Sequence, residues 1–289
     1  MIMLQCLVNG ILLGGLYAII GIGMSLVFGI MNLTNLAHGD LLILGTYIAL
    51  TIVTTYVSNL LFAVILTVLV MMALGYIIQN FLVNRVLDKG AEPALLVMFG
   101  VSIILQNLLL KVYGADNRII HNTLSSKNVI STGNLSISAM YLFSFVVGIL
   151  VIVAMHYIMQ NTYFGRSIRA TSDDAVAAEL VGVNTKNTYT YAMMLSVATA
   201  AIAGALVGST FVFYPSSGTN YLIIAFGVVV IGGMGSLIGT LLGGIVLGIA
   251  QLLGGHFFGS AYQMLSGYIV LLIILALRPD GLLSGSTRK

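Results

Sequence analysis

Charge is what this sequence has least of. Eleven Lys and Arg and eight Asp and Glu occur in 289 residues, 7% of the chain, where an ordinary soluble domain carries about 25%. With 59% of residues hydrophobic and apolar runs of roughly 20 residues, a soluble globular domain is excluded, because no single core absorbs so much apolar surface. No basic cluster is long enough for nucleic acid, and the net charge is only +3. The one cysteine, Cys6, cannot form an intrachain disulfide. Its neighbours Met3, Leu4 and Gln5 do not resemble a lipoprotein cleavage site, so it reads as a buried small residue. No basic start precedes the first apolar run, so residues 3–29 are expected to be a retained helix and not a signal peptide. No G-x-x-x-x-G-K-[ST] phosphate loop occurs, which excludes ATP binding by that route and an enzyme of that kind. His121, His156 and His256 are scattered without metal-ligand spacing, so no metal site is expected. Tryptophan is absent, while 33 Gly and 14 Met fit tightly packed membrane helices.

What is present is one all-α polytopic membrane domain over 1–289, with eight or nine transmembrane helices. Apolar spans are predicted at 3–29, 38–57, 60–84, 93–113, 139–160, 188–213, 220–233, 236–254 and 260–277. The seventh is short and is broken from the eighth by Gly232, Gly233 and Gly235, so a bent or re-entrant pair is an alternative to two crossings. The pairs Gly10 and Gly14, Gly204 and Gly208, Gly244 and Gly248, and the run Gly235, Gly239, Gly243 have the small-xxx-small spacing of close helix contacts. Packing within one subunit accounts for most of these, and a subunit interface for one or two.

Sidedness follows from Lys and Arg. With 161–187 in the cytoplasm, Arg85, Lys89, Arg166, Arg169, Lys186, Arg278, Arg288 and Lys289 are inside, and Lys111, Arg118 and Lys127 are outside. The C-terminus is then cytoplasmic and the Asn-, Ser- and Thr-rich loop 114–138 external. Gln106 and Asn107, within the fourth span, are expected to make interhelical hydrogen bonds.

Residues 161–187 form a polar island of a size that a simple chain reversal does not need. Thr171 and Asp174 match the capping-box spacing, Asp173 and Asp174 suit the positive end of a helix dipole, and Gly182 is placed to end the helix. A short cytoplasmic helix is expected over 173–181, too marginal to be stable alone and with a small apolar face, Val176 and Leu180, suited to a partner's groove. A helix lying on the bilayer would have a bulkier apolar face and a basic polar one.

A second polar segment, Asn32 to Asp40, lies between two spans. Asn32, Thr34, Asn35, His38 and Asp40 either line a substrate path, since polar backbone at membrane depth is tolerated where it lines water or is buried in protein, or form a plain turn with Asp40 capping the next helix. Tyr214-Pro215-Ser216-Ser217-Gly218-Thr219-Asn220 reads as a simple external turn, or as a segment that shapes an outer gate.

The island, with Gly165-Arg166-Ser167-Ile168-Arg169-Ala170, Asp174, Ala177-Ala178-Glu179-Leu180 and Gly182-Val183-Asn184, resembles the coupling loop of permease subunits of branched-chain amino acid ABC importers. Gly15-Leu16-Tyr17-Ala18, the Asn32–Asp40 segment, Gly232-Gly233-Met234-Gly235-Ser236 and Arg278-Pro279-Asp280-Gly281-Leu282 extend the resemblance over essentially the whole chain. The resemblance implies a bacterial plasma (inner) membrane location and a transport subunit for leucine, isoleucine, valine or close analogues. It implies two ATP-binding cassette subunits that bind the ATP, a second permease subunit, identical or homologous, and an extracytoplasmic substrate-binding protein. It places Arg166, Arg169, Asp173, Asp174, Glu179, Leu180 and Gly182 at the ATPase, with Glu179 as an interfacial contact. The two arginines either pair with acidic groups there or hold lipid headgroups. Relatives carrying urea, short amides or other neutral solutes make those an alternative cargo. An ion-driven secondary transporter would need intramembrane charges, of which only Asp40 comes near, and a purely structural subunit would not need the Asn32–Asp40 segment.

Overall fold

Nine helices among the described residues are long and apolar enough to cross a membrane. The computed structural model describes residues 2–31, 33–56, 59–122, 128–132 and 135–283. Asn32, Lys127, Arg288 and Lys289 lie outside the described residues. The spans are α1 (Ile2–Met31), α2 (His38–Thr55), α3 (Leu60–Ile77), α4 (Ala91–Tyr113), α5 (Ala139–Asn161), α8 (Thr185–Thr210), α9 (Gly218–Gly232), α10 (Leu237–Phe258) and α11 (Gln263–Leu277). Between α5 and α8 lie the shorter α6 (Tyr163–Asp173) and α7 (Ala175–Leu180), and a two-stranded ribbon, β1 (Asn128–Thr132) with β2 (Leu135–Ser138), follows α4.

The described residues hold nine candidate spans, the upper of the two expected counts. α9 and α10 are separate antiparallel helices, and Gly233 and Gly235 make the break by adopting φ of 104° and 81°. These are left-handed conformations that a residue with a Cβ adopts only under strain. The third span continues past α3 as a π-helical turn, Ile78–Leu82, and two 3₁₀ turns, Val83–Arg85 and Leu87–Lys89.

The core is made by α1, α2, α8 and α9. The most apolar stretch of α1 is 89% buried and that of α8 83%, against 22% for α4 and α5 and 11% for α11, which turn their large apolar side chains outward as lipid-facing helices do. The glycine pairs explain how the core closes. A Cβ on Gly14 would stand 2.4 Å from Ile245 Cα, one on Gly244 2.5 Å from the Gly14 carbonyl oxygen, and one on Gly248 2.4 Å from that of Gly10. Gly10 and Gly14 therefore form one seam with Gly244 and Gly248. Gly204 packs on Leu42 and Thr46, and Gly239 and Gly243 pack on α9. Every one of these spacings is spent on contacts within the chain.

The pairings form a repeat. α1 packs along α10 and α9, and α8 packs along α3 and α2. α2 also meets α3 and α4, as α9 meets α10 and α11. Thus α1–α4 and α8–α11 repeat these pairings in opposite directions, as in the inverted repeats of many transporters, except that α10 packs along α11 whereas α3 and α4 barely meet. In each copy a long helix ends, a short irregular link follows, and the next helix has a glycine in its first turn, Gly39 in one and Gly218 in the other.

The basic residues also sort by end. Gly29 and Gly235 touch, Ser172 Oγ donates to the Gly29 carbonyl at 2.5 Å, Lys186 pairs with Asp88 at 3.0 Å, and Leu282 N and Leu283 N donate to the Ile231 and Gly232 carbonyls. These contacts gather Arg85, Lys89, Arg166, Arg169, Lys186 and Arg278 at one end of the bundle. Arg118, bridged to Phe213, and Lys111 are at the other.

Candidate functional site

The link after α1 doubles back. Gly23 is eight residues before the end of α1, yet a Cβ there would stand 3.0 Å from the His38 ring, 2.6 Å from the Ser196 carbonyl and 2.6 Å from Thr199 Oγ1. Residues 33–37 thus climb back along α1, and α2 begins near the midpoint of α8, so the segment is no turn at the surface. Asn35, His38 and Asp40 are buried, and Thr34 is half-buried. Asn35 Oδ1 accepts from Ala37 N at 3.0 Å and its carbonyl from His38 N at 3.1 Å. His38 Nε2 lies 2.8 Å from the Ile20 carbonyl oxygen. A carbonyl only accepts, so this nitrogen carries the proton. The cap position of α2 belongs to Ala37, which makes no side-chain cap bond. Asp40 lies in the first turn, where a carboxylate is favoured by the helix dipole.

Of the eight acidic residues, Asp40 alone is buried. Its Oδ2 accepts from Ser102 Oγ at 2.5 Å, while Oδ1 has no hydrogen-bond partner among the described residues and packs on Gly218. The second link, 211–217, mirrors the first. Tyr214 to Gly218, expected as an external turn, holds a short 3₁₀ turn in which exposed Tyr214 and Ser216 alternate with buried residues. Pro215 and Ser217 are buried, Ser217 Oγ accepts from Tyr214 N at 3.1 Å, and a Cβ on Gly39 would lie 2.0 Å from the Gly218 carbonyl oxygen. The first turns of α2 and α9 therefore abut inside the bundle, with Asp40 between them.

Below this junction, toward the basic end, lies a small, partly open cleft lined by Val27, Met31, Thr34, Asn35, Gln79 and Met193 among others. Its lining residues are mostly aliphatic or methionine, with Thr34, Asn35 and Gln79 the polar ones. Gln79 was not among the sequence-predicted residues. It stands beside Asn80 where the third apolar run gives way to polar residues, a position that does not single it out. Asn107, expected to bridge helices, donates instead to the Ile103 carbonyl of its own helix at 2.8 Å.

The island folds as two helices where one was expected. α6 runs to Asp173, so Thr171 is a buried residue inside it and not a cap, and Asp173 is its last residue. The 11-residue α6 forms because Phe164, Ile168 and Thr171 recur at helical spacing and turn inward. Asp174 then breaks to φ −156°, and its Oδ1 accepts from Val176 N at 2.9 Å and Ala177 N at 3.0 Å, so α7 is capped by Asp174 and spans Ala175–Leu180. Gly182, at φ 92°, ends it as expected. Arg166 lies 6.0 Å from the Tyr163 ring, and Arg169 donates to the Met159 carbonyl. The Glu179 carboxylate accepts from Thr185 Oγ1 in the first turn of α8. Leu180 is 85% exposed and Val176 70%, an apolar edge uncovered at the basic end of the bundle.

A family model described as branched-chain amino acid transport system / permease component matches residues 6–277. The chain is 32% identical to the high-affinity branched-chain amino acid transport system permease protein BraD of Pseudomonas aeruginosa, over 97% of this chain and 95% of that one. It is 29% identical, over the same shares, to the LivH protein of that system in Escherichia coli (strain K12). It is 26% identical to the probable branched-chain amino acid transport permease protein LivH of Methanocaldococcus jannaschii, over 92% and 87%.

Proposed function

Since the chain belongs to the family of branched-chain amino acid transport permease components, we propose that it is the membrane subunit of an ATP-driven importer for leucine, isoleucine and valine. It is a multi-pass membrane protein of the bacterial plasma membrane, with α6, α7 and the C-terminus in the cytoplasm. It pairs with a second permease subunit, identical or homologous, receives the amino acid from an extracytoplasmic binding protein, and is driven by two ATPase subunits that hold the ATP.

The observation that carries this reading is the exposed edge of α7. A six-residue helix is unstable alone, and its Val176 and Leu180 side chains are uncovered beside the basic end of a chain without a phosphate loop of its own. A groove on the ATPase covers that edge, with Arg166, Arg169, Asp173 and Asp174 as the polar surround. Closure of the ATPases on ATP pushes α6 and α7. Ser172 on Gly29 and Glu179 on Thr185 pass the push to the ends of α1 and α8, the two long helices of the inverted repeat. Their movement opens and closes the route past Thr34, Asn35, His38 and Asp40. The methionine-lined cleft suits an aliphatic side chain, since thioethers adapt to irregular apolar shapes.

The test is a pull-down of the full chain from gently solubilised membranes. Recovery of an ATPase, lost when residues 175–181 are scrambled, supports the assignment. Recovery of the chain alone, with uptake of leucine into ATP-free liposomes, overturns it.

A further inference from the structure

The π turn at the end of α3 has a specific effect on two side chains. In an α-helix, residues five apart sit about 140° apart around the axis, too far for their side chains to meet. In a π turn, hydrogen-bonded from i to i+5, they stack on one side. Gln79 lies in the π turn and Asn84 in the 3₁₀ turn that follows it, and this combination brings their side chains together. Gln79 Nε2 donates to Asn84 Oδ1 at 2.9 Å.

Asn84 then spends its own amide hydrogens on α8. Its Nδ2 donates to Thr190 Oγ1 at 3.1 Å and to the Lys186 carbonyl at 3.3 Å, while Thr190 Oγ1 donates to that same carbonyl at 2.8 Å. Gln79, Asn84 and Thr190 are all buried, so these bonds are shielded from water, and an amide removed here leaves partners unsatisfied. The exposed pair Lys186–Asp88 crosses the same interface, but such pairs contribute little.

The two ends of this chain of contacts matter. At one end, Lys186 follows directly on Thr185, which holds the Glu179 carboxylate of α7. At the other, Gln79 and Val83 line the cleft with Asn35 and Met193, and Asn35 Nδ2 lies 3.7 Å from Met193 Sδ. We propose that Asn84 is the positioning residue that transmits displacement of the coupling helix to the cleft: it clips the π turn of α3 to the first turns of α8, so that α8 cannot tilt without moving the Gln79 wall. It touches neither the amino acid nor the ATPase. The clip makes the wall follow the drive.

The inference rests on the importer reading above, and the test separates the two. The full chain is reconstituted in liposomes with its ATPase and binding-protein partners, and ATP hydrolysed per leucine taken up is measured. In Asn84→Leu, ATP hydrolysis continues while uptake falls, and the ratio rises by roughly two- to thirtyfold, the range of mutations along a coupling route. Thr190→Val, which removes the acceptor from the other side and leaves α3 untouched, raises it in the same direction. The double variant is no worse than the more severe single one, because both cut one link. Asp88→Ala leaves the ratio unchanged. An unaltered ratio in both Asn84→Leu and Thr190→Val, or hydrolysis and uptake falling in equal proportion in both, overturns the role of Asn84 with the importer reading intact. A wild-type assembly that shows no ATP-driven uptake removes the importer reading and this inference with it.

Discussion

Asp40 Oδ1 occupies the space that a side chain on Gly218 would need: a Cβ built on Gly218 stands 2.0 Å from it and 2.9 Å from the Asp40 amide nitrogen. A buried carboxylate is thus seated where two helices begin, one from each half of the inverted repeat. Helix N-termini carry partial positive charge, and the arrangement offsets two of them with one side chain.

Gly218→Ala drives a methyl group into that carboxylate. Either Asp40 leaves Ser102 or α9 shifts, and overpacking of this kind costs about 1–3 kcal/mol. The expected result is a lowered thermal melting point in detergent together with lost uptake. A variant that melts as the wild type does and transports normally removes the abutment from the working structure.

Asn35→Leu tests the first link separately. The change removes the acceptor for Ala37 N, a bond worth about 1 kcal/mol, and makes the cleft wall more apolar. Leucine uptake is expected to fall while the ATPase still co-purifies in normal amount. Unchanged uptake kinetics return residues 33–37 to a purely structural role.

Asp174→Ala removes the cap of α7. Caps of this type contribute about 1 kcal/mol, a large share for a helix of six residues. Membrane accumulation should be normal and co-purified ATPase reduced, with Asp174→Ser largely restoring it. Equal recovery in Asp174→Ala and wild type means that α7 gains no order from its cap.

Leu180→Asp places a charge on a side chain 85% exposed in the free chain. Stability of the subunit should change by less than about 0.5 kcal/mol, as for surface substitutions away from special features, while ATPase binding is lost. Retention of the ATPase would show that α7 docks through another face.

Gly14→Leu and Gly100→Ala form a contrast. Gly14 meets backbone at 2.4 Å, whereas a Cβ on Gly100 meets nothing within 4 Å. The first should prevent accumulation of a folded chain. The second should stabilise it by about 0.4–1 kcal/mol, because alanine has less freedom to lose than glycine. Melting curves in one detergent compare the two.

Much of this architecture was legible in the order of residues. Span positions follow from apolar length, and the spacing of Gly10, Gly14, Gly244 and Gly248 marks close-packing faces, though not which helix each one meets. The location of Arg166, Lys186 and Arg278 at one end follows from the count of crossings. Three features were not legible. Thr171-Ser172-Asp173-Asp174 satisfies a capping-box pattern, but Thr171 is claimed by the buried face of α6, so tertiary burial outcompetes the local cap. Pro215-Ser216-Ser217-Gly218 has the composition of a surface turn, and composition does not tell that Pro215, Ser217 and Gly218 are buried while Ser216 is exposed. The π turn at 78–82 leaves no trace in an apolar run, because one extra residue in a helix changes the angular position of Asn84 without changing the pattern of polarity. For that reason Gln79 and Asn84 were absent from the expected site.

α5, the span between the two repeats, has no counterpart in either. A unit of four crossings, duplicated end to end, would return to the side from which it started and insert its second copy in the same sense as the first. The single additional crossing turns the second copy over. During membrane insertion, the parity that α5 supplies decides which way α8 enters. Deletion of residues 139–161 would leave every helix of the repeat intact in sequence and still forbid the junction of Asp40 with Gly218.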